Sequence, residues 1–236
     1  MSENMPYNHS ILLRALTRVV ALACWFAAPL GSHAQSDAFW GKVDTLTTGL
    51  AEEFHPVVPH EVWLSQGSPP DTWMVFERRT ATESQIAAKR FNMSSNQWDS
   101  TVTVISASPA SSPQQLPDIA HLSTTGKPLV VSWQWWKEGR WQVWYSTRSD
   151  SAPAWSSPQR LVQDTVDNTA VQLRPYNSGS VAIATWKRRN VLEMSFWTPS
   201  AISAPETLVV SAVDTFEYDL ALQYDYELHG QALTVV

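Results

Sequence analysis

A recurrence constrains this chain more than any other feature. A glycine-bearing turn precedes an apolar, β-branched run three times: Thr125-Gly126-Lys127 before Leu129 to Trp133, Ser178-Gly179-Ser180 before Val181 to Trp186, and His229-Gly230-Gln231 before Leu233 to Val236. Leu129, Val181 and Leu233 follow one another at intervals of 52 residues. An earlier copy, with Gly67 and the run Trp73 to Glu77, fits with a longer turn. A fixed period of this length means that one supersecondary unit is repeated and buries its faces against its neighbours.

Each unit contains four strand-like stretches separated by turn residues. In the 117–162 copy they are Ile119 to Leu122, Leu129 to Trp135, Trp141 to Arg148 and Arg160 to Val162. The 170–210 copy offers Ala170 to Tyr176, Val181 to Trp186, Leu192 to Phe196 and Thr207 to Val210. The 61–105 copy offers Glu61 to Ser65, Thr72 to Glu77, Gln85 to Asn92 and Thr101 to Ile105, and a partial copy fills 218–236. The only helical candidate is a short one near Leu46 to Phe54. The expected fold is therefore all-β, a β-propeller of four-stranded antiparallel blades, with about three and a half blades present and closure incomplete. A two-sheet sandwich explains the strands but not the recurrence. Residues 35–60 form an N-terminal segment in which Phe39 to Thr47 resembles an outer closing strand. Even so one strand of that blade is missing and the apolar edge Ala232 to Val236 is left open, so the expectation is either a sequence truncated relative to a whole wheel or a wheel completed by a partner chain through self-association.

Where the chain acts follows from its first residues. Arg14 and Arg18 precede a 12-residue apolar run, Val19 to Leu30, and Ser32-His33-Ala34 supplies small residues before a cleavable bond. This reads as a signal peptide over 1–34 cleaved near Ala34, which predicts a secreted or periplasmic protein. The run falls short of the roughly 20 residues that span a bilayer, so no transmembrane segment is expected after signal removal. The single cysteine, Cys24, lies in that run. Disulfides, thiol chemistry and cysteine-based metal sites are thus not expected in the mature chain. His55, His60, His121 and His229 lack ligand spacing, and neither a metal nor any other cofactor is expected. With 16 Lys and Arg against 22 Asp and Glu, the chain lacks a basic nucleic-acid footprint.

The segment Ser149-Asp150-Ser151-Ala152-Pro153-Ala154-Trp155 resembles the Asp-box turn (BNR repeat) of sialidase-like propellers, Ser-x-Asp-x-Gly-x-x-Trp, between a third and a fourth strand. Asp150 and Trp155 match the pattern, whereas Arg148 stands for the Ser and Ala152 for the Gly. Trp98 keeps the Trp place in the copy before, and Ile202 takes it in the copy after. The resemblance implies that Asp150 and Trp155 form a structural turn on the face away from any active site. It also implies that a sialidase-like glycoside hydrolase, exo-acting on sialosides or related sugars, is the alternative to simple binding. Sialidases bind the substrate carboxylate with arginines, the first in an Arg-Ile-Pro, and use a Tyr nucleophile with a Glu. No Arg-Ile-Pro occurs here, and Glu217 and Tyr218 are adjacent, which on an extended chain points them to opposite sides. Glu217, Tyr218 and Asp164 are the catalytic candidates, without an assigned reaction.

The second-to-third strand turns of a propeller share a face with the connections between blades. These turns carry Arg78, Arg79, Lys137, Arg140, Lys187, Arg188 and Arg189, half of the 14 Lys and Arg that remain once Arg14 and Arg18 leave with residues 1–34. Such a rim suits carboxylate or sulfate groups. Glu77, Glu138, Asp164, Asp167, Asp214 and Glu217 on the same face oppose it. Trp136, beside the basic turn, suits stacking on a sugar ring; Trp133 and Trp186, in comparable strands, suit packing. The function expected is that of an exported propeller that binds an anionic glycan, or a protein surface, without catalysis.

Overall fold

A computed structural model describes residues 51–59, 72–122, 126, 128–176, 179–198, 200–213, 216–225 and 230–235, with 220–225 and 230–235 described by backbone alone. All belong to one compact unit, Gly49–Val236. The expected signal peptide, the expected closing strand Phe39 to Thr47, the expected strand Glu61 to Ser65 and Asp214 lie outside the described residues.

Among the described residues there are fifteen strands and no helix. Alternating apolar and polar residues, broken by short polar turns, leave a meander as the simplest antiparallel arrangement. The first sheet contains β1 (Glu52–Val57), β2 (Thr72–Arg79) and β3 (Glu83–Asn92), with β4 (Gln97–Trp98) and β5 (Thr103–Pro109) sharing the outer edge of β3. The second runs β6 (Gln114–His121), β7 (Leu129–Lys137), β8 (Arg140–Arg148), β9 (Gln159–Arg160). The third runs β10 (Asn168–Tyr176), β11 (Val181–Arg188), β12 (Val191–Trp197), β13 (Glu206–Val210). A fourth pairs β14 (Leu220–Asp225) with β15 (Gly230–Val235). Glu52 to Phe54 thus belong to a strand rather than to a short helix, because their backbone pairs with Glu77 to Arg79.

Successive sheets pack face to face. Trp73, Val75, Ile86, Ala88 and Ile105 of the first sheet meet Ile119, Leu129, Val131 and Trp133 of the second. The opposite face of the second sheet presents Ala120, Val130 and Val143 to Val171, Leu173, Ala184 and Trp186 of the third. The first strands are neighbours in chain order: β6 touches β1 and β10, and β10 touches β14.

One device recurs in the first strand of each of the first three sheets. Pairing slips between Phe54 and Val57, between Gln115 and Asp118, and between Thr169 and Gln172, and each slip contains a non-glycine residue at positive φ: His55 (49°), Leu116 (51°) and Ala170 (51°). These are β-bulges. Opposite them stand Phe76, Trp133 and Trp186, all buried. Trp133 and Trp186 are 53 residues apart, so Leu129 corresponds to Ala182 rather than to Val181; a one-residue slip would turn every side chain to the other face.

The residue after Phe76 and the residue after Trp133 reach across to the next sheet, and the residue after Trp186 to the connection before β14. A Glu77 carboxylate oxygen accepts the Leu116 N–H at 2.7 Å, and the Gln134 amide oxygen accepts the Ala170 N–H at 2.9 Å. Lys187 Nζ donates to the Phe216 carbonyl at 2.8 Å. An amide freed by the bulge is in this way satisfied by the preceding sheet, as a buried N–H requires. Ala170 holds a left-handed backbone at a cost that glycine does not bear. Ala170→Gly is expected to raise stability by about 0.5 kcal/mol, measured as a higher urea midpoint with an unchanged m-value.

Candidate functional site

Short turns place the basic residues at the tips of the hairpins. Lys137 pairs with Arg140 across Glu138 (φ 57°) and Gly139 (φ 76°), a two-residue turn with both centres left-handed, which is what a strand pair of right-handed twist prefers. Arg188 pairs with Val191 across Arg189 (φ 55°) and Asn190. Each of these two tips is tied to a connection that joins sheets. The Trp136 N–H donates to the Pro113 carbonyl at 2.8 Å, the Trp141 N–H to Asp167 at 2.7 Å, and the Asn190 side chain to the Ser211 carbonyl at 3.0 Å.

Most of the cations are occupied. Arg79 bonds Glu77 at 2.7 Å and lies 5.0 Å from the centre of the Phe54 ring. Arg78 is 3.9 Å from Glu53, and Arg140 bonds Glu138 at 3.0 Å. Arg188 lies 2.9 Å from Asp164 and 3.2 Å from Glu193. Lys187 is taken by the Phe216 carbonyl and ring. The Lys137 ammonium sits 4.7 Å from both the Trp135 and Trp144 rings. Arg189 is exposed and has no ion-pair partner among the described residues. Exposed pairs of this kind contribute about 0–1 kcal/mol each, but they cancel much of the field that the sequence places on this edge.

The tryptophans split by face. Trp133 is fully buried. Trp135 packs on Trp144 with ring centres 4.8 Å apart, and its indole N–H donates to Ser112 at 3.0 Å. Trp136 and Trp141, directly opposite in register, meet edge to face at 5.5 Å and stay half-exposed. Trp141 is a residue that sequence reasoning missed, although a two-residue turn at Glu138-Gly139 sets position 136 opposite 141.

Two of the catalytic candidates have structural partners. Asp164 is held by Asn168 at 2.7 Å, with Arg160 at 3.8 Å and Arg188 at 2.9 Å from it, and its backbone carbonyl accepts from Arg160. The Tyr218 hydroxyl donates to the Ala170 carbonyl and lies 3.4 Å from the Thr185 hydroxyl. Burial pushes its pKa well above the usual tyrosine value, with a lowering contribution from the Thr185 hydroxyl, so the phenol stays protonated. Glu217, its neighbour, is exposed.

Asp150 and Trp155 lie at the other end of the second sheet. The Asp150 N–H donates to the Gly126 carbonyl at 2.8 Å, and Ser149 and Ala152 exchange two backbone bonds at 3.1 Å. Trp155 meets Trp73 of the first sheet edge to face at 5.8 Å, and the Arg148 guanidinium lies 4.1 Å from the Trp73 ring centre. Among the described residues no three His, Cys, Asp or Glu side chains group closely enough to hold a metal ion, and no helix is long and apolar enough to cross a membrane. No family model, curated protein or solved structure matches the chain.

Proposed function

We propose that this protein is an exported β-propeller that binds an acidic glycan, without catalysis, at the hairpin tip of its second sheet. The half-exposed Trp136–Trp141 pair carries the reading. Two indoles set at an angle offer an apolar face to a sugar ring, while Lys137, and Arg140 once it exchanges Glu138 for the ligand, supply charge for carboxylate or sulfate groups. The propeller is supported by the adjacency of the first strands and by the repeated bulge-and-aromatic unit. Binding without catalysis is supported by the uses the fold makes of Asp164 and Tyr218, which serve as an ion-pair hub and a buried hydrogen-bond donor.

Trp136→Ala is expected to weaken binding on an array of sulfated and uronic-acid glycans by about tenfold, near 1.4 kcal/mol, with an unchanged thermal midpoint. Array binding that survives both Trp136→Ala and Arg140→Ala overturns the tip as the site. Turnover of a fluorogenic sialoside, abolished by Glu217→Gln, overturns the absence of catalysis and returns the sialidase-like alternative.

A further inference from the structure

The bulged first strands β1, β6 and β10 surround an open groove of about 340 Å³, separate from the Trp136–Trp141 tip and lined by His55, Leu116, Asp118, Ala170, Gln172 and Arg174 among others. The left-handed residues of all three bulges, His55, Leu116 and Ala170, lie on its wall. Backbone of this kind is concentrated where ligands bind. The volume sits at the low end of the roughly 300–1,000 Å³ typical of small-molecule sites, enough for one sugar ring rather than a chain.

The charges on the wall decide what it takes. Arg174 faces two carboxylates, Asp118 at 3.1 Å and Asp219 at 3.4 Å, and also bonds the Leu173 carbonyl and the Gln172 side-chain oxygen. Its cation is already matched. Glu77, fully buried, receives Arg79 on one oxygen and, on the other, the Leu116 N–H and His55 Nδ1 at 2.7 Å. His55 Nε2 has no hydrogen-bond partner among the described residues, on a side chain that is 55% exposed. A wall whose one arginine is already shared between two carboxylates has no cation to spare for an anion, whereas an imidazole nitrogen without a protein partner bonds a hydroxyl in either protonation state.

From this we propose that the groove binds a neutral, hydroxyl-rich ligand of monosaccharide size, with a ligand hydroxyl hydrogen-bonded to His55 Nε2. The site is independent of the acidic-glycan reading at the tip. Its test is titration of the full-length chain with methyl glucoside, methyl galactoside and methyl mannoside, and in parallel with glucuronate and inorganic phosphate, following the His55 ring carbon–proton resonances. At least one neutral hexoside is expected to shift those resonances and saturate by about 10 mM, within the millimolar range of single-sugar binding. His55→Ala should weaken that affinity about fivefold or more, as loss of one hydrogen bond does. His55→Asn, a residue that tolerates left-handed φ but is too short to reach, should do the same if the alanine variant folds poorly. Trp136→Ala should leave it unchanged.

Three results overturn the proposal: no shift with any hexoside at about ten times that concentration, tighter binding of glucuronate or phosphate than of every hexoside, or hexoside affinity unaltered in both His55 variants. Hexoside binding lost in Trp136→Ala but kept in the His55 variants overturns the groove while leaving the tip reading in place. Loss of acidic-glycan binding on the array, with the His55 response intact, would do the reverse.

Discussion

Replacing Trp133 by alanine is expected to cost about 3–5 kcal/mol, the range for truncating a large aromatic in a core, and to lower the thermal midpoint by about 10 °C for a unit of this size. The side chain is fully buried between the first two sheets, against Ile119, Val131 and the face made by Trp73, Val75 and Ile86. Sheets that meet face to face close poorly over a void of that size, because their backbones are held by ladders on both sides. The repeat itself suggests the control. Phe76 holds the same place, opposite a bulge, in the first sheet, so Trp133→Phe should cost less than half as much as the alanine. Equal losses in the two variants, read from urea melts, would show that the place opposite the bulge is not filled by aromatic bulk.

The second large effect is at Glu77. Its side chain is fully buried and joins three partners, the Leu116 N–H, His55 and Arg79. Arg79 and His55 are 39% and 55% exposed in their side chains and return to water when the carboxylate is removed. The Leu116 N–H has no such escape, since its own strand pairing is broken by the bulge. Glu77→Ala therefore leaves a part-buried donor without its protein partner and a small void, and is expected to cost about 2–4 kcal/mol. Glu77→Gln should cost about 1 kcal/mol, because Gln134 already performs the same clasp one sheet later. If chemical denaturation finds the glutamine variant as unstable as the alanine, the charge, and not the clasp on Leu116, is what Glu77 provides.

The bulges were only partly legible before the fold was known. Proline inside a strand marks an edge or a bulge, and His55-Pro56 and Leu116-Pro117 carry that mark, but Ala170-Val171 carries none. Strands were easier. The stretches Leu129 to Trp135, Trp141 to Arg148 and Val181 to Trp186 fall within β7, β8 and β11 with their ends shifted by a residue or two, since each is bounded by turn residues next to it in sequence. The interval was off by one for a related reason. The glycine turns that define it vary in length, whereas the bulge and the aromatic opposite it are what the structure repeats.

Amino-acid order alone determined that this chain forms antiparallel hairpins with basic tips, because period-two alternation and two-residue turns act over a few neighbouring residues. Only the tertiary structure decided what those tips do. Arg188 meets Asp164, 24 positions away, because β10 pairs with β11 and sets Asn168 opposite Arg188, and Lys187 meets Phe216, 29 positions away, on the connection that leads into the fourth sheet. The groove beside His55 exists for the same reason: its walls come from three strands spread over about 120 residues. Electrostatic pairing and enclosed volume depend on distance in space, and that distance is set by how the sheets pack.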